Sequence, residues 1–268
     1  MGILNITPDS FSDGGELMND GKINLNKILA RAELMVSAGA DFLDIGGEST
    51  RPGAVAVAEV EELERVAPVV EALAQRFDVV LSVDTSSPQV ISVCAGLGAG
   101  LINDVRSLST PEAMDAAARS GLPVCIMHMQ GTPGTMQVDP HYVDVVREVL
   151  QYLRAKVTLC NKAGITGDRI IVDPGFGFGK ALPHNLNLLN HLESFRALDL
   201  PLLVGLSRKR MLGFITGKSE KDRVAAGIAA AVIAVMKGAC IVRTHDVPET
   251  VDALKICHSV RSSESALC

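Results

Sequence analysis

Eight times along this chain a short apolar run breaks off into polar residues, and that recurrence limits the folds open to it more than any other feature. Gly2 to Ile6 is interrupted by Asn5, and Phe42 to Ile45 carries Asp44 and opens onto Gly46-Gly47-Glu48. Val79 to Val83 ends in Asp84, Leu101-Ile102 in Asn103-Asp104, and Val124 to Met127 in His128. Ile170 to Val172 ends in Asp173, Leu202 to Leu206 in Ser207-Arg208-Lys209, and Cys240 to Val242 in Arg243-Thr244-His245. Unbroken apolar runs bounded by turn residues read as strands buried on both faces. The segments between them carry helical apolar spacing. Such an alternation predicts a parallel sheet, and over residues 1–268 its natural closure is one α/β domain, a (β/α)8 TIM barrel. Barrels of this kind work at the C-terminal mouth, where all these polar residues would meet.

Ile170 to Lys180, IIVDPGFGFGK, is the most informative of these stretches. Asp173 leaves the core there and should point into the pocket mouth. Pro174-Gly175 follows it instead of a helix, which argues against a capping role. Asp84 keeps that alternative, because Asp84-Thr85-Ser86-Ser87-Pro88 also reads as a helix start. Asp44 and Asp104 read equally well as residues that orient their neighbours. His128, set among methionines with no second His or Cys close by, reads as structural.

Composition narrows the function classes. The net charge is −6, with no Trp and two Tyr, which argues against nucleic acid, whose partners carry basic patches and stacking platforms. The six cysteines lack C-x-x-C spacing and read as small buried apolar residues of a reducing cytoplasm. No signal peptide is expected before the first strand, and no apolar run is long enough to span a membrane.

Two long loops stand out on the working face. Asn5 to Gly15 is polar and too long for a minimal turn, and reads as a lid. Gly46 to Gly53 offers glycine N–H groups, hydroxyls and Arg51, the parts of a phosphate-binding loop. Ser207 to Arg210 is the most cationic turn, and Arg243 to His245 closes the last strand, where many barrels bind phosphate. The rim thus divides into acceptors (Asp84, Asn103, Asp173) and cations (Arg51, Lys209, Arg243, His245). A heterocycle with several N–H donors that carries a phosphate or pyrophosphate ester suits both halves. Helices are expected from about Val60 to Arg76, from Tyr142 to Ala163 and from Val224 to Val235. The last is apolar almost all round and predicts a subunit interface.

Gly2 to Gly15 (GILNITPDSFSDGG), Asp44 to Gly53 (DIGGESTRPG), Asp173 to Lys180 (DPGFGFGK) and Ser207-Arg208-Lys209, taken together, resemble dihydropteroate synthase, the folate-pathway family that sulfonamides inhibit. The resemblance covers essentially the whole chain with the motifs in order. Other pterin-binding barrels, such as corrinoid methyltransferases, share the strand-end Asp and Asn pattern but are not expected to show both long loops.

The resemblance implies that 6-hydroxymethyl-7,8-dihydropterin pyrophosphate and p-aminobenzoate give 7,8-dihydropteroate and pyrophosphate. Asp173 would accept from the pterin N3–H and 2-amino group, with Asn103 and Asp84 completing the ring's pairing and Met127 beside it. Lys209 would donate to the O4 and N5 edge. Asn5 would hold a Mg²⁺ that bridges the pyrophosphate, and Arg243 with His245 would grip the leaving group. Thr50, Arg51 and Pro52, with Phe11 and Asp13, would close over p-aminobenzoate, with Phe178 as one wall and Ser207, Lys209 and Arg210 alongside. A cytoplasmic homodimer is expected. The rival readings are a non-catalytic pterin-binding paralogue, which would need only Asp84, Asn103 and Asp173, and a pterin-dependent methyltransferase.

Overall fold

The computed structural model describes residues 1–7, 17–19, 22–50, 53 and 57–265. Eight parallel strands run in sequence order: β1 (Gly2–Asn5), β2 (Phe42–Gly46), β3 (Val80–Asp84), β4 (Leu101–Asp104), β5 (Val124–Met127), β6 (Ile170–Asp173), β7 (Leu203–Gly205) and β8 (Ile241–Arg243). The first six form one continuous sheet and the last two a pair. Parallel bridges from Val172 to Leu202 and from Gly2 to Thr244 close the ring. The Met1 amine seals the seam by donating to the Val242 carbonyl at 3.0 Å. A short antiparallel hairpin, Met18–Asn19 with Lys22–Ile23, follows β1 outside the barrel.

Nine helices are described: α1 (Leu25–Ser37), α2 (Glu59–Arg76), α3 (Pro88–Gly96), α4 (Pro111–Ser120), α5 (Val145–Lys162), α6 (Leu182–Asn190), α7 (Arg210–Thr216), α8 (Val224–Met236) and α9 (Val247–Ser265). Asn24 caps α1 through the Lys27 N–H at 3.2 Å, and Thr110 caps α4 through Ala113 N at 3.2 Å. Two expectations change here. The cap of α3 is Ser87, which accepts from Val90 N at 3.3 Å; Asp84 lies further back and stays in the strand. Helix α5 begins at Val145, not Tyr142, because Asp144 caps it and Glu148 accepts from the Val143 and Asp144 N–H groups, holding that turn outside the helix.

Strand periodicity explains why the barrel is dry at one end and polar at the other. Side chains alternate between the two faces of a strand. Outward residues such as Leu43, Ile45, Val83, Ile102, Ile126, Val172 and Val204 are almost fully buried against the helices. Inward residues near the strand starts form an apolar plug of Leu101, Cys125 and Leu203, with Met1, Phe42, Ile171 and Ile241 packed on it. Two residues further along, the same inward face carries Asp44, Asn103, Met127, Asp173, Gly205 and Arg243. The register puts Asp84 beside Asn103 and Met127 beside Asp173. Cys94, Cys125, Cys160 and Cys257 are buried free thiols, whereas Cys240 is exposed.

The plug has few members, so each should matter. Leu203→Ala removes a fully buried side chain from it and should cost about 2–5 kcal/mol. Urea unfolding monitored by circular dichroism reads this; a change within experimental error would show that the plug does not hold the barrel bottom.

Candidate active site

The inward polar residues open into one cavity of about 610 Å³ at the C-terminal mouth. Asn5, Thr50, Asp84, Asn103, Met127, Asp173, Phe178, Ser207, Lys209, Arg210, Arg243 and His245 all line it. Phe11, Asp13, Arg51 and Pro52 lie outside the described residues. The strand ends, the loop after β2, the β6–α6 loop and the β7–α7 turn therefore bring together the described residues to which the resemblance gave a role, whereas Asp44, Asp104 and His128 do not line the cavity.

At the floor, two acidic groups hold one guanidinium. Arg243 donates from Nε to Asp44 at 2.6 Å and from Nη2 to Asp84 at 3.1 Å. Asp44 is fully buried and also accepts from Ser82 Oγ at 2.5 Å and from Asn103 Nδ2 at 3.3 and 3.4 Å. Burial and the neighbouring Asp44 carboxylate push the Asp84 carboxyl up to about 8, against the pull of Arg243. Burial alone would lower the Arg243 pKa, but the two aspartates outweigh it and hold the guanidinium charged.

Asp173 sits across the cavity. Burial pushes it up to about 6, although it accepts from Gly175 N at 2.7 Å and lies near the positive charges of Lys209 and Lys180. The Lys209 ammonium stands 4.2 Å from the centre of the Phe178 ring, a cation–π contact that sets both groups on the same wall. Ser207 Oγ lies 3.1 Å from His245 Nδ1, and the Arg208 guanidinium pairs with Asp246 at 2.5 Å. Arg210 is exposed at the start of α7, its guanidinium 5.7 Å above the Phe214 ring.

The β6–α6 loop is anchored by groups that sequence reasoning did not place. Lys180 is 3% exposed, and its ammonium donates to the Gly175 and Phe178 carbonyls at 2.9 Å each and to the His128 carbonyl at 3.3 Å. The fourth neighbour is His128 Nδ1 at 2.9 Å. Burial first, and then the Lys180 charge, lower His128 to about 3, so it is a neutral acceptor there, in keeping with a structural role. Asn185 accepts from Gly177 N at 2.7 Å, Gln137 donates to Gly177 O at 2.6 Å, and Tyr142 donates to Gly179 O at 2.7 Å. The glycines answer a close approach. A Cβ on Gly175 would lie 1.9 Å from the His128 carbonyl oxygen, and the φ of +72° suits glycine. Below the second loop, Arg106 grips Glu48 through two hydrogen bonds of 2.8 and 3.1 Å.

This geometry was compared with known proteins. Residues 1–245 match the family of pterin binding enzymes. The dihydropteroate synthase of Escherichia coli (strain K12) is 53% identical over 98% of this chain and 92% of its own length. That of Haemophilus influenzae is 50% identical over 96% of this chain and 91% of its own. Among solved structures, the Yersinia pestis dihydropteroate synthase in a sulfonamide drug complex has a TM-score of 0.94 at 55% identity, covering 98% of this chain and 94% of that one. The Xanthomonas albilineans dihydropteroate synthase with 4-aminobenzoic acid reaches 0.89 at 47% identity, over 97% and 92%.

Fold and site together define a barrel enzyme of the pterin-binding class. Within that class the chain belongs to the dihydropteroate synthase family, transferases of folate biosynthesis. The relatives give no support to a non-catalytic paralogue or a methyltransferase.

The buried ammonium yields a prediction. Lys180→Met keeps the apolar stem but strands three carbonyls, at about 1–3 kcal/mol for each one that finds no water. The variant should unfold at clearly lower urea concentration than wild type; equal midpoints would mean that the loop holds its shape without this residue.

Proposed function

We propose that the cavity seats the pterin ring on its floor and p-aminobenzoate at its mouth, with the pyrophosphate ester between them. The observation that carries this reading is that three buried acceptors, Asp173, Asn103 and Asp84, and two cations, Lys209 and Arg243, line one cavity. Asp173 accepts from the pterin N3–H and 2-amino group, while Asn103 and Asp84 pair with the rest of the ring edge and Met127 packs on its face. Lys209, held over Phe178, donates to O4 and N5. A ring whose edge does not match leaves these buried groups unpaired, which is how a polar site rejects it.

Departure of the pyrophosphate leaves positive charge delocalised over the pterin. That charge draws Asp84 toward its ionised form and is faced by Asp173, so the site stabilises the charged ring more than the neutral one. This favours dissociative displacement, with the p-aminobenzoate amine attacking last. Arg243, His245, Thr50 and Arg51 receive the leaving group.

Mg²⁺ fits this rim as an ion that draws most of its oxygens from phosphate and water. Among the described residues no group of three His, Cys, Asp or Glu side chains could hold a metal. Asn5 would supply the protein's share: Gly46 opposite leaves room, since even a Cβ there would sit 3.5 Å from Asn5 Oδ1. When bound, the ion neutralises charge on the leaving pyrophosphate.

At the mouth, Phe178 walls p-aminobenzoate, and Ser207, Lys209 and Arg210 offer donors to it. Arg210, steadied by Phe214, serves its carboxylate. Phe11, Asp13, Arg51 and Pro52, which lie outside the described residues, are proposed to serve the same site. The Yersinia and Xanthomonas complexes support a site that takes 4-aminobenzoic acid and sulfonamides alike. The enzyme is proposed to be cytoplasmic; no helix among the described residues is long and apolar enough to cross a membrane.

The working unit is proposed to be a homodimer built on α8 and α9. These helices pack together yet leave Ile233 45%, Met236 48%, Ile256 67% and Val260 48% exposed on their outer faces. Light scattering at micromolar concentration should return twice the 28.3 kDa chain mass, and a monomer would contradict this.

A pH test follows from Asp173. Its folded pKa, about 6, is raised, so its ionised acceptor is present above that value and lost as pH falls through it. The same burial makes ionisation oppose folding of the unliganded protein as pH rises through that range. Pterin affinity by calorimetry should therefore fall below about pH 6, while Asp173→Ala should bind weakly throughout, having lost interactions of roughly 1.5–3 kcal/mol apiece. Unchanged binding by Asp173→Ala would remove it from the pterin site.

Order of binding gives the second test. The pterin site stands on strand ends, whereas the outer site draws on loops that gain anchors from pyrophosphate and Mg²⁺. Titrated p-aminobenzoate or sulfonamide should bind tightly only to enzyme that holds pterin or pyrophosphate with Mg²⁺. Equal affinity for the apo enzyme would mean a preformed outer site.

A further inference from the structure

Asp44 lies beneath the site and does not line the cavity, yet two of its hydrogen-bond partners, Asn103 and Arg243, do. It is fully buried in the middle of β2. Ser82 Oγ donates to its Oδ1 at 2.5 Å, Arg243 Nε donates to its Oδ2 at 2.6 Å, and Asn103 Nδ2 lies 3.4 and 3.3 Å from the two oxygens. Packing alone does not call for a carboxylate there. The register places Ser82 directly opposite Asp44, and an apolar pair would fill the same space without burying a charge.

The chemistry of the group gives the arrangement its direction. An ionised carboxylate only accepts, whereas a primary amide both donates and accepts and can turn over with no change of shape. Facing Asp44, Asn103 has to turn its nitrogen down. Its Oδ1 is then directed away from Asp44; it is not among the enclosed polar atoms that lack a partner, and Asn103 lines the cavity.

We infer that Asp44 is a positioning residue for specificity: by fixing the Asn103 amide it presents an acceptor, never a donor, to one point of the pterin edge, and so demands a ring N–H there. The inference rests on the reading of the cavity as a pterin site. Without the carboxylate, both amide orientations coexist, and in one of them a donor meets a donor. Arg243 holds a second partner in Asp84, so the guanidinium stays on the floor when Asp44 is neutralised, which leaves the Asn103 amide as the group most changed.

The test uses Asp44→Asn, an isosteric change, and a series of pteridines in which ring N–H groups are replaced one at a time by a bare nitrogen or by CH. Calorimetry on the full-length protein reads the affinities, and thermal denaturation reads folding. Wild type should prefer the N–H at one ring position by about tenfold or more, the worth of a buried hydrogen bond. Asp44→Asn should lose that preference at that position alone, with the preferences set by Asp173 intact. The double variant Asp44→Asn with Asn103→Asp exchanges carboxylate and amide across the same strands. It offers the ring an acceptor whichever way it turns, and should regain the preference and part of the affinity.

A folded Asp44→Asn that keeps the wild-type preference overturns the inference. So does a uniform loss across the whole series that the double variant deepens, which is the pattern of a merely structural residue. If Asp44→Asn does not fold, the double variant decides: binding within about tenfold of wild type with the preference kept supports the inference, and loss of the preference overturns it. Wild type that binds no pteridine overturns the reading of the cavity, and this inference with it.

Discussion

One guanidinium between two buried carboxylates is the interaction on which the site depends. Taking Asp44, Asp84 and Arg243 out of water is costly, and a buried ion pair is on its own weak evidence for stability. Here two acids share one cation, and burial together with the Asp44 charge pushes the Asp84 carboxyl up to about 8. The barrel tolerates the arrangement because the apolar plug and the outward faces of the strands carry the packing. Its cost is borne on the cavity floor, where the pterin ring proposed above would relieve it as it gains positive charge. Stability and function are therefore separated along the strand axis, at a distance of one or two residues.

The loops repeat this division of labour. The β6–α6 loop is held by Lys180 from within, by Asn185 of α6, and by Gln137 and Tyr142 of the β5–α5 segment, so the Phe178 wall is built before any ligand arrives. The second loop is tied at its root by Glu48 and Arg106, below the residues that would meet p-aminobenzoate.

Much of this was legible in the sequence because a polar residue that ends an apolar strand has few structural reasons to be there. Asp84, Asn103, Asp173 and Arg243 were found in that way, and each lies on the cavity. Asp44 gave a weaker signal: it interrupts a run instead of ending one, and its partners come from β3, β4 and β8, far away in the chain. Lys180 closed a recognised motif, but nothing local says that its ammonium folds back into the protein. The start of α3 was ambiguous because Asp84 and Ser87 both read as caps, and only the geometry chooses Ser87. The seat of Arg210 on Phe214 was legible in principle, since four positions apart on a helix is the spacing at which side chains meet.

The central claim is that this rim carries out chemistry on a bound pterin and does not merely hold it. The most direct measurement is pyrophosphate release from 6-hydroxymethyl-7,8-dihydropterin pyrophosphate, followed with and without p-aminobenzoate in the presence of Mg²⁺. The account predicts release in step with 7,8-dihydropteroate when both substrates are present. Tight pterin binding with no pyrophosphate released in the presence of p-aminobenzoate would contradict it.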